Sequence, residues 1–214
     1  RTQLSNAIRG YAAEFGITAA TGMCRIEPLL DSIAHNEAVP DLARELFALH
    51  ATEYAQLKIE IERVEERLME WHRENECSQR LAQIPGVGPI GASPLMMKTP
   101  DPRMFKSGRD FAAWMGLTPR DHSTAGRVRL GGITRAGDEV LRSTLIVGAT
   151  AVIRQAQRGR SRSASPWLLG LLERKKTKVA AVALANKIAR AAWKLMVSGE
   201  RYRKATTAPS MATA

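Results

Sequence analysis

Around Asp121–Arg142 the chain gathers residue types that can do chemistry on a phosphate ester: His122, Ser123 and Thr124, then Gly126, Gly131 and Gly132, among Arg120, Arg127, Arg129 and Arg135. A serine hydroxyl attacks a phosphodiester when it is held in line with the leaving oxygen, its proton has an acceptor, and cations hold the charge growing on phosphorus. Ser123 is the candidate nucleophile, and His122 is a possible acceptor by type, although adjacent side chains often point apart. The four arginines offer forked donors suited to phosphate oxygens, and the glycines allow close backbone approach. Residue types alone leave a plainer reading open: a Ser-Thr turn whose arginines dock a phosphate backbone without reacting.

The charge of the chain has the same address. Residues 1–102 carry 10 Lys and Arg against 15 Asp and Glu, whereas residues 103–214 carry 22 against 6. An excess of that size in one half attracts polyanions, and nucleic acid fits better than a membrane surface because no lipid-facing amphipathic helix accompanies it. No apolar run approaches the length of a membrane span and no signal peptide is present, so a cytoplasmic, nucleoid-associated protein is expected. Cys24 and Cys77 lack CxxC spacing and a histidine pair, which leaves two reduced thiols and no zinc site. The chain opens on Arg1 inside a helical pattern, so a fragment is expected.

The elements that must position this stretch read as helices. Leu4, Ile8, Tyr11 and Phe15 mark one helical face closed by Gly16, and Ile26–Ala34 makes a short helix. From Asp41 to about Cys77, Ala43, Phe47, His50, Tyr54, Leu57, Ile61, Val64, Leu68 and Trp71 alternate steps of four and three, a heptad seam that predicts a coiled coil. Its partner is a second chain or residues 1–34. Ile84-Pro-Gly-Val-Gly-Pro89, between two helical stretches, is similar to the helix-hairpin-helix signature, in which Gly86 and Gly88 would bring backbone amides to a DNA phosphate. Pro94 removes a hydrogen bond from the second helix.

A helix from Ser107 with Phe111, Trp114 and Met115 on one face stops at Gly116. Another, from Asp138 to about Gln157, buries Leu141, Leu145, Gly148, Ala149 and Val152. Arg154, Arg158, Arg160 and Arg162 form a basic linker. A short helix follows from Pro166, and then an alanine-rich helix over 177–198, with Val179, Val182, Ala183, Asn186, Ala189, Trp193 and Met196 inside and Lys187, Arg190 and Lys194 outside. Arg127–Ile133 is the one β-like stretch, enough for a short hairpin. The tail at 205–214 lacks periodicity and reads as disordered.

From Leu81 to Arg203 the chain resembles the C-terminal domain of the insertion-sequence transposases of the one-hundred-and-ten family, most closely its subgroup eleven-eleven type. The resemblance rests on Ile84–Pro89, Ser107–Arg120, His122–Gly126, Arg129–Asp138 and Lys178–Trp193, five blocks in the right order. Ala125 stands where the pattern usually has glycine. Such transposases join an N-terminal RuvC-like nuclease domain, with a metal-binding acidic set, to a coiled coil and a serine-bearing C-terminal domain, and are guided by an RNA that pairs with donor and target DNA. The resemblance implies that Ser123, or Thr124 with a register one residue later, attacks DNA and forms a phosphoserine link. The candidate DNA-binding residues are Gly86, Gly88, Arg109, Arg120, Arg127, Arg129 and Arg135. No acidic residue here matches the metal set, so no cofactor is expected in this chain, and Mg²⁺ belongs to the missing RuvC-like domain.

The fold expected is mostly α: a remnant of the RuvC-like domain at 1–40, a coiled coil at 41–77 that makes a homo-oligomer, a helical DNA-binding transposase domain with the helix-hairpin-helix-like segment at 78–204, and a disordered tail at 205–214. The function expected is serine-mediated phosphodiester transfer in DNA transposition, with this chain inactive alone. The rival is a non-catalytic helix-hairpin-helix nucleic-acid-binding module. A purely structural coiled-coil protein would leave the basic half unexplained.

Overall fold

The computed structural model describes residues 1–159 and 165–203 and is mostly helical, with one two-stranded sheet. Arg160, Arg162 and the tail at 205–214 lie outside the described residues. Two compact units divide within one long helix, the first ending at Arg67 and the second beginning at Leu68.

The first unit contains α1 (Thr2–Glu14), α2 (Ile26–Ala34) and most of α3 (Asp41–Glu74). Its core joins Ile8, Ala12, Ile26, Leu29, Leu30, Ile33, Val39, Phe47 and Tyr54. The early part of the heptad seam thus packs on residues 1–34 of its own chain. Further along the seam burial lapses, and Val64 is 63% exposed. The face α1 buries is Ser5, Ile8 and Ala12, rotated from the expected one. Tyr11 instead stacks on His50 with ring centroids 5.8 Å apart. Small residues let α1 approach closely, and the larger rings settle at the edge of the contact.

The long helix stops at Glu74, three residues before the expected end, because Asn75 takes extended backbone angles and its side chain accepts from the Ser78 amide, capping a new helix, α4 (Glu76–Ala82). After the turn 83–87, α5 (Gly88–Lys98) runs through Pro94 without ending there. Gly86 takes a φ of +90° and sits against α7 (Glu139–Gln157): a Cβ added to Gly148 of that helix would fall 1.7 Å from the Gly86 carbonyl oxygen. The glycine pair therefore lets the turn lie directly on α7.

The second core is built from α4, α5, α6 (Gly108–Trp114), α7 and α9 (Thr177–Ser198), with α8 (Pro166–Arg174) packed against α7 and α9 through Ile153, Leu168, Ala180 and Ala181. Ser107 caps α6 by accepting from the Asp110 amide, and Asp138 caps α7 by accepting from the Leu141 amide. On α7 it is Ile153, not Val152, that is fully buried. The inner face of α9 is Ala180, Ala181, Ala185, Ile188, Ala189, Ala192 and Leu195. Val179, expected inside, is 53% exposed. An alanine stripe brings α9 close to α6 and α7, and the helix turns its larger side chains outward or sideways to achieve that.

Candidate nucleic-acid interface

The Ser123 stretch is a β-hairpin. Strands β1 (Pro119–Asp121) and β2 (Leu130–Ile133) pair antiparallel, Pro119 with Ile133 and Asp121 with Leu130. The register shifts between those pairs, leaving Gly131 and Gly132 opposite Arg120 alone, a bulge that bends the strand and re-aims what it carries. The bridge between Thr124 and Arg127 closes the tip. Both residues inside it have positive φ, Ala125 at +48° and Gly126 at +79°, the requirement of a type I′ turn. An L-residue in the left-handed region is strained. Ala125→Gly is therefore expected to stabilise the hairpin by about 0.5–1 kcal/mol once glycine's extra unfolded-state freedom is subtracted, read as a rise in the thermal unfolding midpoint.

Every residue from Arg120 to Leu130 is exposed, so the hairpin presents its side chains to solvent. Ser123 is nonetheless held on several sides. Its amide donates to Asp121 Oδ1 at 2.8 Å, and its Oγ accepts from the Arg129 amide at 3.0 Å. Hydrogen bonding from Ser123, hydroxyl first and amide second, holds the Asp121 carboxyl below the ordinary carboxylate range. The Arg129 amide thus fixes Ser123 Oγ, and the Asp121 carboxylate is bonded to the backbone of the same residue.

The His122 ring lies elsewhere: a Cβ on Gly131 would come within 3.1 Å of it, so the imidazole covers the bulge glycine across the hairpin. Among the described residues His122 makes no side-chain hydrogen bond to Ser123. The carboxylate bonded to Ser123 is that of Asp121, a neighbour that sequence reasoning passed over. Its signal was the Asp-x-Ser spacing, in which an aspartate side chain folds back on a backbone two residues later.

The arginines divide. Arg120, Arg127, Arg129 and Arg135 belong to the hairpin and its exit, Arg120 donating to the Thr134 carbonyl at 3.4 Å. Arg109, on α6, lines a separate groove with Lys187, Arg190 and Lys194 of α9. Gly86 packs on Gly148 as described, while a Cβ on Gly88 would meet nothing within 4 Å. Among the described residues no three His, Cys, Asp or Glu gather to hold a metal ion, and Cys24 and Cys77 are free thiols.

The hairpin is hung on α6 at a joint that sequence reasoning missed. Arg142, only 8% exposed, donates from Nη1 to the carbonyls of Met115 at 3.2 Å and Ala136 at 3.0 Å. Below it, Asp138 binds Lys98 Nζ at 2.7 Å as well as capping α7. The Lys98 ammonium, followed by the Leu141 amide, holds the Asp138 carboxyl below its ordinary value. A carboxyl lowered by folding stabilises the fold fully above its unfolded pKa of about 4, and that contribution disappears as pH falls through the lower folded value. Thermal midpoints of the parent should thus fall more steeply below pH 4 than those of Asp138→Asn, which lacks this titration.

The helical body thus carries two basic surfaces, an exposed cationic hairpin with a held serine and a separate groove on α6 and α9. Residues 78–164 match the family described as "Transposase IS116/IS110/IS902 family". It is 69% identical over 205 residues to the protein named "Putative transposase y4pF/y4sB" of Sinorhizobium fredii, covering 96% of this chain and 53% of that one. It is 41% identical over 210 residues to a "Probable family 20 transposase" of Pseudomonas aeruginosa, covering 95% and 61%. To the transposase for insertion sequence element IS1111A of Coxiella burnetii it is 38% identical over 206 residues, covering 95% and 56%. The chain thus spans between about half and three fifths of the length of these relatives. No helix among the described residues is long and apolar enough to cross a membrane.

Proposed function

We propose that this chain is the serine-bearing part of a DNA transposase, and that Ser123 is its nucleophile. The observation that carries the reading is Ser123 on an exposed, arginine-rich hairpin, its amide bonded to the Asp121 carboxylate and its Oγ accepting from the Arg129 amide. In the step proposed, Ser123 Oγ bonds to phosphorus and a phosphorus–oxygen ester bond to the sugar breaks. The hydroxyl proton passes to Asp121, and the departing sugar oxygen takes a proton from solvent. Arg120, Arg127, Arg129 and Arg135 hold the non-bridging oxygens as charge grows on them. Thr124, whose amide and carbonyl close the tip with Arg127, is the register alternative.

Gly86 and Gly88 act in this reading as the close-approach residues of the helical turn, Gly88 toward DNA and Gly86 toward α7. An RNA guide, oligomerisation through α3 and a Mg²⁺-binding RuvC-like domain outside this chain are further parts of the proposal, on family resemblance. The described residues do not fit a metal centre, so no step here is routed through one.

The test uses the chain joined to the remainder of its coding sequence, with donor and target DNA and the RNA of the element. A protein–DNA adduct that survives denaturation and maps by mass spectrometry to Ser123 is the expected result. An adduct at another residue, or strand exchange with no adduct, overturns the assignment.

A further inference from the structure

The second basic groove has the construction of a site of its own. It encloses about 790 Å³ between the start of α6, the outer face of α9 and the first turn of α8. Among the described residues four cations line it (Arg109, Lys187, Arg190 and Lys194) and no carboxylate does. Lys187, Arg190 and Lys194 recur at helical spacing, so they form one row about 10 Å long on α9. That length matches about three phosphates of a stacked strand at 3.4 Å each.

Two tryptophans complete the lining, and they differ. Trp193 is fixed, its Nε1 donating to the Pro102 carbonyl at 2.9 Å. Trp167 is 40% exposed, and its indole carries the Lys187 ammonium at 4.2 Å from the ring centroid. Gly108 is the residue that brings the walls together, because a Cβ there would come within 3.1 Å of the Arg190 carbonyl oxygen.

We infer that this groove binds an unpaired segment of nucleic acid, with phosphates along Lys187, Arg190 and Lys194 and one base stacked on Trp167. A row of cations alone would suit any polyanion. An exposed aromatic face within that row selects for a strand whose bases are not already stacked in a duplex. In the free protein Lys187 occupies the indole through a cation–π contact. On binding, the ammonium exchanges the ring for a phosphate and the base takes its place. The groove is separate from the Ser123 hairpin, and the inference stands without a nucleophile there.

The experiment compares the full chain with Trp167→Ala, Trp167→Phe, the triple variant Lys187→Gln/Arg190→Gln/Lys194→Gln and the hairpin variant Arg127→Gln. The probes are a labelled single-stranded DNA of about twelve nucleotides, the RNA of the same sequence and the corresponding duplex, read by fluorescence anisotropy across a salt series. Circular dichroism controls for folding.

The expected results are a roughly tenfold loss of single-strand affinity in Trp167→Ala, recovery of most of it in Trp167→Phe, and little change for the duplex. The triple variant should flatten the salt dependence of single-strand binding by about two to three phosphates. The better of the DNA and RNA single strands identifies the source of the segment. Equal binding of single strand and duplex by the parent, or an unchanged single-strand affinity in Trp167→Ala, overturns the inference. Arg127→Gln is expected to weaken duplex and single strand together, which separates the groove from the hairpin.

Discussion

Ser123→Ala should abolish strand transfer, by a factor of about a thousand or more, in the assembled transposase while leaving DNA affinity within about twofold of the parent. The size follows from losing the only atom that forms the covalent link: in nucleophilic catalysis what survives is the background due to binding and electrostatics. Affinity should hold because Ser123 is engaged within the hairpin, its amide by Asp121 and its hydroxyl oxygen by the Arg129 amide, while the arginines that reach outward remain.

Companion variants divide the roles. Asp121→Asn keeps a side chain that can accept from the Ser123 amide and removes the anion, so a loss of about tenfold to a hundredfold in transfer is expected, with adduct still formed at Ser123. His122→Ala should cost far less, since the imidazole covers Gly131 rather than the hydroxyl. If Ser123→Ala transfers at the parental rate and Thr124→Ala does not, the register slips by one and the nucleophile is Thr124. A hundredfold loss in His122→Ala beside a silent Asp121→Asn would exchange the acceptor.

How much of this could be read without coordinates depended on whether a local signal existed. Caps and glycine stops did carry the helices: Ser107 and Asp138 lie where a side-chain oxygen satisfies the first free amides, and Gly116 takes a φ of +70° where α6 ends. Helical faces were less legible. The sequence reading placed the largest apolar residues inside α1 and α9, whereas close approach of backbones favoured Ser5, Ala12 and the α9 alanines, and displaced Tyr11 and Val179 outward.

The hairpin's arginines were legible because they are neighbours in the chain. Arg109 was grouped with them on residue type, and only folding brings it beside Lys187, Arg190 and Lys194, some 80 residues further on. Asp121 was passed over for the opposite reason: histidine is the usual acceptor by type, and it drew the reading away from the Asp-x-Ser spacing that folds Asp121 back on the Ser123 amide. Arg142 was given no role in the sequence reading. Its burial is a product of the joint it closes.

That joint gives the largest effect expected on stability. Gly116 and Gly137 take φ of +70° and +76°, and each meets the other's backbone: a Cβ on Gly116 would lie 2.2 Å from the Ala136 carbonyl oxygen, and one on Gly137 would lie 1.9 Å from that of Trp114. The Arg135 amide donates to the Gly116 carbonyl at 3.2 Å, and Arg142 bonds the carbonyls on both sides. Gly137→Ala therefore combines left-handed strain with a backbone collision that no rotamer relieves. A cost of about 3 kcal/mol is expected, a fall of roughly 6–12 °C in the melting of the second unit.

Gly126→Ala isolates the two contributions, because Gly126 has nearly the same φ, +79°, and nothing within 4 Å of its would-be Cβ. It should cost only about 1 kcal/mol. Equal losses in the two variants would mean that backbone conformation alone matters and that the hairpin is not seated on α6 as described. If Gly137→Ala remains folded at low temperature, its strand transfer should still fall well below that of Gly126→Ala, because in the proposed reaction Ser123 reaches a phosphate in line only from a hairpin held at a fixed angle to the helices beneath it.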